Sequence, residues 1–67
     1  MNARPDVAAR ARMIAEMAFK GLHVARDLKD GTMIRTCKSV IAMLRMGKVP
    51  LDRDVMAIHR MTREAVR

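Results

Sequence analysis

The sequence predicts an all-α protein, a small domain of three helices. Three observations carry that prediction. Apolar residues recur at intervals of three and four along the chain, with no run of strict alternation. Punctuation cuts the chain into three: Pro5, which suits a first helical turn, then the turn signal Asp30-Gly31, then Gly47 and Pro50. The length of 67 residues accommodates one domain spanning 1–67, with no internal repeat or low-complexity stretch.

Helix 1 is expected over about 5–29. Val7, Ala11, Ile14, Ala18, Gly21, Ala25 and Leu28 alternate steps of four and three, the spacing of a coiled-coil seam. The residues are small, so another helix can approach closely. Gly21 costs about 1 kcal/mol in a helix interior relative to Ala, and a close contact is one reason to tolerate it. Ala15 and Leu22 widen one edge of the seam; Met13, Met17 and Val24 widen the other. This apolar arc covers more than half the helix; either a small three-helix core wraps helix 1 on all of it, or helices 2 and 3 leave part of it for a partner. In the second case Met13, Met17, Gly21, Val24 and Leu28 are a candidate dimer or partner surface, with Met43 and Met46 of helix 2. On the outer face, Glu16–Lys20 and His23–Asp27 are i,i+4 pairs worth a few tenths of a kcal/mol each.

Helix 2 is expected over about 33–46, capped by Thr32 and closed by Gly47. Met33, Ile34, Cys37, Val40, Ile41 and Leu44 share its core face. Arg35, Lys38 and Arg45 form a stripe opposite, with Lys48 just past the end. Arg35 and Lys38 fall near the helix N-terminus, where cations are disfavoured, which points to an outside partner. Val49-Pro50-Leu51 reads as extended. Helix 3 follows over about 53–67, capped by Asp52, with Leu51 stapled on Met56. Val55, Ile58, Thr62, Ala65 and Val66 face inward; Arg53, Arg60, Arg63 and Arg67 share the outer face.

The net charge of +7 is unevenly spread. Residues 1–30 hold six cations and four acids, 31–48 four cations and no acid, and 49–67 four cations and three acids. An excess of this kind favours polyanion partners. Aromatic residues are nearly absent, one Phe and no Tyr or Trp, which argues against stacking on single-stranded bases. A single cysteine forbids an internal disulfide and fits a reducing compartment. A chain this short needs a stabilising aid, and self-association is the remaining one, so a homodimer through helix 1 is expected. The longest apolar run, Val40 to Leu44, is far below the roughly 20 residues of a membrane span. No signal-like apolar core follows the N-terminus. The expectation is a cytoplasmic protein of bacterial or phage type.

Chemistry is sparse. Cys37 and His59 form a dyad only if folding unites them, with nothing to orient the pair. Cys37 lies mid-core on helix 2 and reads as a buried small hydrophobe, and His59 as a packed residue at the edge of helix 3's apolar face. Gly21, Gly31 and Gly47 are isolated, so no phosphate loop exists, and the histidines and cysteine match no zinc spacing. The chain is expected to be non-enzymatic, with no metal, cofactor or small-molecule substrate.

Two functions remain. In the leading one the protein is a regulator that binds double-stranded DNA through Arg35, Lys38, Arg45, Lys48, Arg53, Arg60, Arg63 and Arg67, helices 2 and 3 forming a helix-turn-helix-like unit. Against a true helix-turn-helix, the link Gly47–Asp52 exceeds the usual three or four residues, and helix 3 holds no Asn or Gln to read adenine. In the alternative it is a protein-binding regulator, an anti-activator, inhibitor or adaptor. Its methionines would then supply an adaptable surface, and its cations would steer it to an acidic partner.

Overall fold

In the computed structural model, residues 5–65 are described, with side chains from Ala8 onward. Three helices follow one another: α1 (Pro5–Asp27), α2 (Gly31–Arg45) and α3 (Asp52–Ala65). Among the described residues there is no strand. The side chain of Val7, and all of Val66 and Arg67, lie outside the described residues.

Each boundary has a local cause. Helix α1 ends at Asp27, two residues short of the expected limit, because Lys29 takes a left-handed backbone with φ 57°. The Asp30 N–H then donates to the Ala25 carbonyl (2.9 Å) and the Lys29 N–H to the Arg26 carbonyl (3.1 Å). This is the Schellman closure, normally built on glycine. The turn signal Asp30-Gly31 thus marked the right place, but the strained position is Lys29. Lys29→Gly is expected to raise stability by about 0.5–1 kcal/mol, because glycine adopts positive φ without a Cβ penalty. Equal or lower stability in a urea titration would contradict that account.

The cap of α2 differs from the expected one. Asp30, not Thr32, is the N-cap: its carboxylate accepts from the Met33 N–H at 3.2 Å. Asp30 offers the short carboxylate that Thr32, already inside the helix, cannot place there. The Thr32 carbonyl instead accepts the Thr36 hydroxyl (3.0 Å). The other end matches the sequence reading. Gly47 has φ 74°, and the Lys48 N–H reaches back to the Met43 carbonyl (2.8 Å).

Helix α3 starts one residue early. The Leu51 carbonyl accepts from the Val55 N–H, so Leu51 is the N-cap and Asp52 lies within the first turn. Leu51 and Met56 are both exposed, so no staple buries them. Pro50 is the buried residue of this link.

The core sits where the helices converge. Ala18, Cys37, Val40 and Ile58, one or two from each helix, are fully buried together. Ile14, Met17, Leu22, Met33, Ile41 and Leu44 pack around them, half-buried. Helix α1 packs against both others, more extensively on α2 than on α3. At about 1.5 Å per residue its 23 residues span roughly 34 Å, most of the molecule's 42 Å long axis.

Gly21 marks the tightest approach. A Cβ there would lie 2.6 Å from Ile58 Cγ2 and 3.2 Å from Cys37 Sγ. The small seam of Ala18, Gly21 and Ala25 therefore admits α2 and α3 of the same chain. Gly21 accordingly leaves the candidate dimer surface, being buried in the monomer. At the seam's end Leu28 is exposed, past the last turn of α1. On α3, Thr62 turns inward as expected, and its hydroxyl donates to the carbonyls of Ile58 (3.0 Å) and His59 (2.9 Å), which lets a polar residue sit there. Ala65 is exposed instead of facing inward.

Candidate nucleic-acid interface

Helix α2 builds the most one-sided charge on the molecule. Cys37 and Val40 fix its buried face, so the positions half a turn away must face water. Arg35, Lys38 and Arg45 occupy them, and all three are exposed, as is Lys48 beyond the helix end. At 100° per residue the three share an arc of about 80°, and Arg35 and Arg45 are about 15 Å apart along the axis. Ser39 and Ala42, both exposed and small, lie in or beside the stripe and let a bound surface come close. Because α2 begins at Gly31, Arg35 is its fifth residue, past the first turn. The dipole effect fades within that turn, so cations at 35 and 38 carry less penalty than their expected positions implied.

Helix α3 differs in charge. Arg53, Arg60 and Arg63 are exposed on its outer face. Asp52, Asp54 and Glu64 balance them, so over its described residues the helix is neutral. Arg67 lies outside the described residues. Arg60 and Arg63 also border an open groove between α1 and α3, lined with them by Met17, Val55, Met56, His59 and Glu64. A second groove on the same flank of α1 is lined by Met13, Glu16, Met17, Lys20 and Thr62.

The candidate partner surface is only partly assembled. Met13, Leu28 and Met46 are exposed, at 69, 58 and 64%. Met17, Val24 and Met43 are half-buried. The sequence reading missed Met56, 65% exposed, which belongs beside Arg60 and Arg63 on the outer face. Its helical register carries that signal, since it precedes Arg60 by four residues and Arg63 by seven. Phe19, Val49 and Leu51 are exposed apolar residues missed as well.

Cys37 is fully buried, and burial pushes its thiol up, so it stays protonated at neutral pH. His59 is exposed, contrary to the packed position expected for it, and the two do not form an accessible dyad. Among the described residues no three His, Cys, Asp or Glu side chains gather as a metal site, and no helix is long and apolar enough to cross a membrane.

Fold and surface together define a three-helix all-α protein with a small core and a cationic stripe on its second helix. Comparison with protein families, with curated proteins and with solved structures yields no match for this chain.

Proposed function

We propose that the protein is a small non-enzymatic regulator that binds double-stranded DNA through its cationic surface, of which the α2 stripe is the centre. The observation that carries this reading is the acid-free stretch 31–48, whose four cations are all exposed and three of which share one helix stripe. Cations arrayed this way release condensed counterions when they meet phosphates, which drives binding. Titration into labelled duplex DNA, followed by anisotropy from about 50 to 300 mM salt, tests it. The expected result is a fall of log K with log salt at a slope of about −3 or steeper. No binding at about 50 mM salt removes the reading.

One observation favours a second reading, a protein-binding regulator. The α1–α3 groove is lined by apolar Met17, Val55 and Met56 beside Arg60 and Arg63, with Glu64 its single acid, chemistry suited to an acidic amphipathic segment. Substituting Met56, exposed and away from the core, would impair that function and leave DNA binding unchanged.

Either reading includes a homodimer, proposed to form through Met13, Met17 and Val24 of α1 with Leu28 just past its end. Sedimentation equilibrium is expected to give twice the 7.6 kDa chain mass. The monomer mass at every concentration would remove this part.

A further inference from the structure

We infer that α2 alone is the DNA-contacting element, and that it holds the phosphate backbone without reading sequence. This rests on the DNA-binding reading and narrows it to one helix and one mode.

Charge balance singles out α2. Within α3, Asp52–Ala65, the three cations are offset one for one by Asp52, Asp54 and Glu64, and 49–67 as a whole keeps an excess of one, whereas the segment 31–48 has no acid against its four. A polyanion is attracted to the uncompensated stripe. Placement does so too. In a helix-turn-helix the N-terminal residues of the recognition helix meet base edges in the major groove. Here the first turn of α3 carries Asp52 and Asp54, with Asp52 exposed. Those carboxylates would be pressed between phosphates and against the acceptor-rich edge of guanine, where like charge repels them. The six-residue link 46–51 also separates α2 and α3 further than the turn of that motif allows.

The chain contains no Gln, and its one Asn, Asn2, lies outside the described residues. Bidentate adenine recognition is therefore missing from all three helices. Arginine could still read guanine, but phosphate needs only positive charge at the right spacing. The stripe supplies that. Its axial length of about 15 Å equals about four base-pair rises of 3.4 Å measured along the DNA axis, so the stripe can meet several phosphates. Ala42 and Ser39 leave the helix surface low enough for the backbone to approach.

The experiment compares the intact protein with three variants, all checked for helicity by circular dichroism, on three 20-base-pair duplexes of unrelated sequence. The variants are Arg35→Gln/Lys38→Gln/Arg45→Gln, Arg53→Gln/Arg60→Gln/Arg63→Gln, and Arg35→Lys/Arg45→Lys. The substituted residues are exposed, so the fold is expected to survive. The intact protein should bind all duplexes within about threefold, with a salt slope between about −3 and −4. The α2 glutamine variant should lose tenfold or more in affinity and most of that slope. The α3 variant should stay within about threefold. The lysine variant should also stay within about threefold, because lysine replaces arginine as a point charge on phosphate but not as a bidentate fork on guanine. One duplex bound more than about tenfold tighter than the others would overturn the inference while leaving DNA binding in place. So would a loss in the α3 or the lysine variant as large as that in the α2 glutamine variant. No binding by the intact protein would sink the DNA reading itself, and this inference with it.

Discussion

Gly21→Ala is expected to destabilise the protein by about 2 kcal/mol, the cost of overpacking a tight site. For a domain of this size that lowers Tm by about 8–16 °C. Intrinsic propensity points the other way, since alanine is better than glycine in a helix by about 1 kcal/mol. Geometry decides the sign. The added Cβ would fall 2.6 Å from Ile58 Cγ2, a separation real Cβ atoms essentially never show. That methyl branches from Cβ on a fully buried side chain, so it cannot swing aside as the end of a long chain could. Cys37 Sγ closes the second side at 3.2 Å, so α1 would have to move away from both partners. A double-mutant cycle separates the clash from other effects. Ile58→Ala removes the offending methyl, and the double variant should be more stable than the sum of the singles by about 1–2 kcal/mol. A rise in Tm for Gly21→Ala would mean the helices sit further apart than this packing requires.

Gly21 also shows how far the sequence could be read. A glycine inside a helical seam announces a close approach, and the approach is there. The sequence could not say who approaches. A seam of small residues serves a neighbour in the same chain or in a second copy equally well, and only the burial of Gly21 by Ile58 and Cys37 decides between them. The helix count, the core face of α2 and the closure at Gly47 were legible because each follows from period or from glycine's backbone freedom. The caps were less so. Asp30 and Thr32 are both good N-cap residues, and the choice depends on where α1 releases the chain. That was set by Lys29 entering a conformation no sequence rule assigns to lysine. The candidate site was legible in position and, in the contrast between acid-free 31–48 and mixed 49–67, in charge. The exposed cations of α2 and α3 stand on the outer faces that periodicity assigned them. The helical boundary at Asp52 brings two acids into the first turn of α3, which sets it apart from α2. Met56 went unread because pairing it with Leu51 as a staple took it off the outer face, where its register puts it.

The same node sets the second large effect. Ile58→Ala is expected to cost about 3–4 kcal/mol, well inside the range of about 2–5 kcal/mol for a buried aliphatic truncated to alanine. The cost of a cavity depends on whether neighbours can collapse into it. Here the facing residues are Gly21, Cys37 and Val40, all small and held on two different helices, so little can move to fill the space. Among the described residues Ile58 is also the only fully buried side chain α3 contributes; Val55, Met61 and Thr62 are half-buried. Without it α3 keeps its own backbone hydrogen bonds but loses the contact that fixes it to α1 and α2. A chain of this length has about 3–10 kcal/mol of total stability, so the variant should be largely unfolded or should lose α3 first. Urea unfolding followed by circular dichroism, with amide exchange on α3, distinguishes those two results. Truncating half-buried Leu22 or Met33 to alanine in parallel should cost less, because water already reaches part of each side chain. A loss below about 1 kcal/mol for Ile58→Ala would mean that α3 is not held at the Gly21 node. The core would then have to rest on the α1–α2 pair alone.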